Sequence, residues 1–238
     1  MRFFVPIPLT DASEVALPDD VAHHLVRVLR SEVGTRLALF NGEGGVWEAE
    51  LVEAGKKTAV VRLLAQSSAD RQSPLATHLG QVMSKGDRMD YAIQKATELG
   101  VTAITPLTSE RCELRLRGEE RADKKLEHWR RVAIAACEQC GRNRLPVIHE
   151  PMTLADWSAQ VAADLKLVLA PAVAGELPGE HVASVALLVG PEGGLSDAEI
   201  AAVQAQGFRP WQLGPRVLRT ETAPVAALAL LQARFGDF

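Results

Sequence analysis

Three cysteines in 238 residues are too few for a disulfide framework and fit a reducing compartment. No apolar run approaches the roughly 20 residues that cross a bilayer. The opening "MRFFVPIPLTDASE" also lacks the charged-then-apolar order of a secretory signal, so a cytoplasmic chain with no membrane partner is expected. Internal repeats are absent. Positive charge is not in excess either: 26 Lys and Arg against 30 Asp and Glu leave a net charge of -4 and a pI of about 5.9. That balance excludes wholesale nucleic-acid binding by charge alone. A lone C-x-x-C, Cys137 and Cys140, has no second pair, and His128 and His149 are scattered singles, so no metal site is expected.

What is present is 47% apolar residues in a chain long enough for one large domain or two unequal ones. Its charge is uneven: residues 111–150 carry 10 basic and 7 acidic side chains and form the net-positive stretch, although a run such as "RADKKLEHWRR" is also an ordinary solvated helix face. Up to residue 64 the pattern is strand-like, with "NGEGG" and "EAGKK" as hairpin turns. One short helix, "DDVAHHLVRVLR", is expected to set Val21, Leu25, Val28 and Leu29 on one face, with Asp19 or Asp20 as its cap. This composition predicts a small β-barrel over residues 1–70, with residues 65–74 ("AQSSADRQSP") reading as a linker.

The remainder, residues 71–238, alternates strand and helix. "LATHLGQVM", "VTAITPL", "LKLVLAP", "SVALLVGPEGG" and "RPWQLG" read as strands, and helices closed by Gly100 and Gly141 lie between the first of them. Continuous apolar strands in alternation with helices predict an α/β domain with a parallel sheet covered on both faces. Ligands in such sheets sit beyond the carboxyl ends of the strands, where the "LAP", "GPEGG" and "LGPRVLRTET" turns fall.

In "LLVGPEGGLSDAEI", Gly190, Gly193 and Gly194 permit a tight bend, and Ser196 with Glu199 forms an S-x-x-E capping box that opens a helix. Glu192 inside the turn repels phosphate and no P-loop lysine follows, so the loop suits a ligand offering hydrogen-bond donors or positive charge; a purely structural turn is the alternative. "LGPRVLRTETAP" places Arg216, Arg219, Thr220, Glu221 and Thr222 between two apolar elements, an arrangement that a site explains.

These two motifs, with "KGDRMDYAIQKATELGV", "ACEQCGRNRLP" and "HHLVRVLR", resemble the ribosomal RNA small subunit methyltransferase E family of the SPOUT superfamily, in the same order along the whole chain. The resemblance implies a PUA-like β-barrel followed by a SPOUT domain with a deep trefoil knot, a homodimer, and S-adenosylmethionine-dependent methylation of uridine N3 in 16S rRNA. It implies a role in ribosome biogenesis, on the small subunit or an assembly intermediate. Three loops would hold the cofactor: Leu169, Ala170 and Pro171; Val189, Gly190, Pro191, Glu192, Gly193 and Gly194; and Leu213, Gly214, Val217, Leu218, Arg219, Thr220 and Ala223.

Uracil N3 is a nucleophile only without its proton, so a base must take it or a cation must stabilise the anion. Arg219 is the candidate cation and Glu221 the candidate base or orienting group; a structural ion pair between loop residues is the alternative. For RNA contacts the candidates are Arg27, Arg30, Lys85, Arg88, Arg142, Asn143 and Arg144, with helix capping or dimer bridging as the other reading of "GRNR". His23 and His24 read as partly buried surface residues. Two rival functions remain at this level: an inactive RNA-binding or assembly factor, and an enzyme holding a nucleotide phosphate at the glycine loop. A different target nucleotide is a third variation.

Overall fold

The computed structural model describes residues 1–10, 14–56, 58–114, 118–170 and 177–238. They group into two compact units, Met1–Gln72 with Cys137–Leu145, and Ser73–Ala136 with Pro146–Phe238. A single cut at residue 70 does not express this return of the chain to the first unit.

In the first unit β1 (Arg2–Phe4) pairs parallel with β3 (Arg36–Phe40), which pairs antiparallel with β4 (Val46–Ala54). β4 pairs antiparallel with β5 (Ala59–Ser67), and β5 with β2 (Glu14–Ala16). Alternate residues face one core: Phe3 and Val5, Leu37 and Leu39, Trp47, Ala49 and Leu51, then Ala59, Val61 and Leu63. The period of two follows from strand geometry. Register shifts at Glu48/Ala49 and Leu51/Glu53 insert bulges, which bend long strands around so small a core. Because Ala65, Gln66 and Ser67 still pair with β4, the expected linker starts later than residue 65.

The helix of this unit departs from expectation. α1 (Asp19–His23) passes directly into a π turn, His24–Val28, in which the Leu29 amide donates to the His24 carbonyl, five residues back. The extra residue per turn rotates the apolar stripe, so Val21 and Leu25 are buried while Val28 and Leu29 are 58% and 42% exposed. Asp19 and Asp20 lie in the first turn after Pro18 and do not cap it with a side chain.

The second unit is built on a wholly parallel sheet. Its strands are β6 (Ala76–Val82), β7 (Ala103–Thr108), β8 (Val147–Ile148), β9 (Met152–Thr153), β10 (Leu165–Leu169), β11 (Ser184–Val189) and β12 (Arg209–Trp211). They run in the order β12-β10-β11-β6-β7-β8, with β9 also on β7. Between them lie α2 (Arg88–Glu98), α3 (Glu119–Cys140), α4 (Leu154–Gln160) and α5 (Asp197–Ala205), and α6 (Thr222–Phe235) follows β12.

Both faces of the sheet are covered, as β6 shows. A Cβ on Gly80 would stand 2.5 Å from the Trp157 ring of α4, whereas the next residue, Gln81, points to the opposite face and bonds Thr220. On that opposite side the Gln232 amide of α6 donates to the Leu99 carbonyl at the end of α2 and its oxygen accepts from Ser73. Short α4 is capped by Thr153, whose hydroxyl accepts from the Asp156 amide, a T-x-x-D signal in "MTLADW". Among the described residues no helix is long and apolar enough to cross a membrane.

Candidate active site

Three segments meet beyond the carboxyl ends of β10, β11 and β12. At the first, Ala170 donates its amide to the Trp211 carbonyl, tying the exit of β10 to the exit of β12, and residues 171–176 that follow lie outside the described residues. After β11 comes the glycine turn, closed by the Gly194 amide on the Pro191 carbonyl, with Gly194 at φ +69. That φ favours glycine because it brings no Cβ. The capping box then forms as the spacing predicts: Ser196 Oγ accepts from the Glu199 amide and the Glu199 carboxylate accepts from the Ser196 amide.

The third segment, residues 212–221, is anchored at one buried point. Thr220, 6% exposed, donates from Oγ1 to the Gly190 carbonyl at 2.9 Å and accepts from Gln81 Nε2 at 3.2 Å. Gln81 is itself 1% exposed and also donates to the Val82 carbonyl. A buried amide in an apolar strand thus pins the last loop beneath the glycine turn. The Thr222 and Ala223 amides fold back on the Arg219 carbonyl and start α6.

Together these segments enclose a cavity of about 650 Å³. Leu169, Ala170, Val189, Trp211, Leu213, Leu218 and Ile200 give it apolar walls, and the 190–194 turn contributes main chain. Arg219, Glu221, Arg216 and Val217 also line it, and among the described residues no ion pair joins Arg219 to Glu221. Two arginines that also line the cavity brace the glycine turn: Arg88 Nη1 meets Glu192 Oε1 at 2.6 Å, and Arg111 Nη1 donates to the Gly193 carbonyl at 3.0 Å. Arg88 is raised above its ordinary range by the bond to Glu192. The cavity size suits a small organic ligand.

Residues 71–232 match the RNA methyltransferase domain family, and residues 17–64 match the RNA methyltransferase PUA domain family. A ribosomal RNA small subunit methyltransferase E from Buchnera aphidicola (subsp. Schizaphis graminum) is 38% identical over 240 residues, covering 99% of this chain and 97% of its own. The chain belongs to the ribosomal RNA small subunit methyltransferase E family. Among solved structures, a Neisseria gonorrhoeae methyltransferase E bound to S-adenosyl methionine superposes with a TM-score of 0.93 at 38% identity, covering 100% of this chain and 98% of that one. A putative methyltransferase from Legionella pneumophila, in complex with its cofactor, gives 0.94 at 41% identity with the same coverage.

In this chain the expected loop residues gather on one cavity with two exceptions. Gly214, at φ +71, shapes the third loop without lining the cavity, and Pro171 lies outside the described residues. Arg111, Gln212, Leu195 and Gln81 were not foreseen. Arg111 follows the carboxyl end of β7, and Gln81 is a polar residue near the carboxyl end of an apolar strand; both positions are the signal that finds them.

The expected RNA contacts divide. Arg142 and Asn143 are 3% and 2% exposed, which corrects their assignment as RNA contacts. Arg142 Nη2 donates to Gln72 Oε1, its carbonyl accepts from Arg2, and Asn143 holds the Ala69 carbonyl while accepting from Arg2. Arg144 is half-exposed, pairs with Asp70 at 2.7 Å, and its main chain bridges Gly42 and Glu43 of the hairpin. "GRNR" therefore fastens the 67–72 segment, β1 and a hairpin within the first unit. Arg27 and Arg30 are exposed there, Arg27 donating to the Lys56 carbonyl. Lys85, in the second unit, is exposed and pairs with Glu113. His23 and His24 are exposed. Burial pushes the Cys137 thiol up to about 12, and among the described residues no cluster fit for a metal occurs.

Proposed function

We propose that this chain methylates N3 of a uridine in 16S rRNA, using S-adenosylmethionine held in the cavity at the ends of β10, β11 and β12. The observation that carries the reading is the convergence of the exit of β10 and two tethered loops on one apolar cavity whose rim bears Arg219 and Glu221. When bound, the cofactor supplies an electrophilic methyl group on a sulfonium. The apolar walls take its adenosine portion, the 190–194 main chain lies against it, and main-chain groups of Leu213, Leu218 and Thr220 read the adenine edge. Glu192, which Arg88 already shares, accepts from ribose hydroxyls or an amino group in this reading.

The chain's chemical task is to hold a uracil with N3 exposed and unprotonated. Glu221 takes the N3 proton or orients Arg219, and Arg219 stabilises the negative charge spread over O2 and O4. Base pairing hides N3, so the target base is unpaired or extruded. Arg27, Arg30, Lys85 and Arg88 bind phosphates. A net charge of -4 favours local reading of a ribonucleoprotein, the small subunit or its assembly intermediate, in the cytoplasm.

A trefoil knot and a homodimer belong to the same proposal. The order β12-β10-β11-β6, with α6 returning from the sheet edge to α2, supports the knot. Val217 and Leu230, 82% and 50% exposed, support a second copy beside the site.

The test is transfer of labelled methyl from S-adenosylmethionine to small subunits lacking this modification, with mass mapping of the product nucleotide. Label at uridine N3, lost in Arg219→Ala, is expected. Label on another nucleotide overturns the N3 assignment, and cofactor binding without any transfer turns the reading to an assembly factor.

A further inference from the structure

Beside the cofactor cavity lies a second, more open hollow of about 800 Å³, lined by Lys85, Arg88, Tyr91, Glu221 and Thr222 among others. Arg88 and Glu221 belong to both linings, so the two spaces share a wall. We propose that this hollow is the acceptor-base subsite, in which one extruded pyrimidine of the RNA stacks on Tyr91 and presents its N3 edge to Glu221. The assignment rests on the methyl-transfer reading and adds where the acceptor lies and how it is chosen.

Tyr91 is the one tyrosine of the chain and is 46% exposed. On α2, Met89, Ala92, Ile93 and Ala96 take the core face, which turns Tyr91 outward into the hollow. An aromatic face at the mouth of a cavity is what an unstacked base needs, since every base has a π-face to offer. Lys95 Nζ stands 6.0 Å from the ring centroid.

The cations of this hollow are held by exchangeable partners. Arg88 pairs with Glu192 and Lys85 with Glu113, and all four side chains are between 36% and 68% exposed. Exposed pairs contribute little, so an RNA phosphate can replace either carboxylate with a small loss. Exchange at Arg88 also frees Glu192 for the cofactor side of the shared wall.

Glu221 supplies the choice of base. Uracil carries a proton on N3 that an ionised carboxylate accepts, whereas cytosine presents a lone pair there and is repelled. The exposed Thr222 hydroxyl lines the same hollow and either donates or accepts.

The experiment compares wild type, Tyr91→Ala and Tyr91→Phe as full chains, measuring S-adenosylmethionine affinity by calorimetry and methyl transfer to unmodified small subunits. Tyr91→Ala is expected to lower kcat/KM for the subunit about tenfold to a hundredfold, with Tyr91→Phe within about twofold of wild type, because stacking and not the hydroxyl is used. Cofactor affinity stays unchanged in both. In parallel, small-subunit RNA carrying 4-thiouridine is irradiated with the wild-type protein, and cross-linking is expected within residues 89–95. Wild-type transfer rates in Tyr91→Ala, or cross-links confined to other segments, overturn the subsite while leaving the methyl-transfer reading intact. A wild-type protein that binds cofactor and transfers to no RNA overturns both.

Discussion

Two arginine-bearing loops of this chain look alike on paper and differ entirely in space. "CGRNRLP" and "LGPRVLRTETAP" each follow a regular element, each turn at a glycine of positive φ, and each spend charged side chains between apolar segments. In the first, Arg142 and Asn143 are buried and bonded to Gln72, Ala69 and Arg2. In the second, Arg216 and Arg219 stand exposed around a cavity, and Thr220 is buried as the loop's polar anchor. A buried guanidinium with fixed partners is structure; one left at a cavity rim is available for chemistry.

Substitutions should separate the two loops. The largest effect is expected for Arg219→Ala, a loss of about 100- to 1000-fold in methyl transfer at saturating cofactor, with unchanged thermal stability. Steady-state kinetics beside a melting curve checks both halves.

Acid should act through a partly buried histidine of the sheet. His78 accepts at Nε2 from Trp157 Nε1 and lies 2.8 Å from Thr105 Oγ1. Burial, with stacked His149 adding to it, lowers its pKa to about 4. The native state thus resists the proton that the unfolded chain takes up near pH 6.5, so this stability is complete above that pH and is lost as pH falls toward 4, by roughly 3 kcal/mol. Denaturant titrations between pH 7 and 4 measure the slope, which His78→Asn should flatten.

Arg142→Ala should lower stability by roughly 2–3 kcal/mol, because Gln72 and its neighbours lose a buried charged partner, while the residual folded enzyme keeps its turnover number. Gly80→Ala drives a methyl into the Trp157 ring and should destabilise by roughly 1–3 kcal/mol without touching cofactor affinity. The smallest effect is Thr220→Val, which removes the bonds to Gly190 and Gln81 and should weaken cofactor binding by about 1 kcal/mol, read by calorimetry.

These differences also mark what a sequence exposes. Short apolar runs broken by "NGEGG" and "EAGKK" identified the paired strands around Leu37, Ala49 and Val61, and continuous apolar runs identified the parallel sheet around Leu187. Gly100, Gly141 and the Ser196–Glu199 box were legible because they act within a few residues of themselves. Where a partner lies far along the chain, the pattern was silent. Arg2 with Asn143, Gln81 with Thr220 and Arg111 with Gly193 are pairings of this kind, and Arg142 was misread for want of its partner Gln72. The π turn at His24–Val28 escaped for another reason: one extra residue shifts a helical stripe without altering its composition.

Hydrogen–deuterium exchange of the full chain with and without S-adenosylmethionine tests the central claim most directly, since it reads both arginine loops in one sample. The account predicts new protection in residues 190–194 and 212–221 and none in Cys137–Leu145. Protection absent from the two rim segments, or appearing at Arg142 and Asn143 instead, would contradict it.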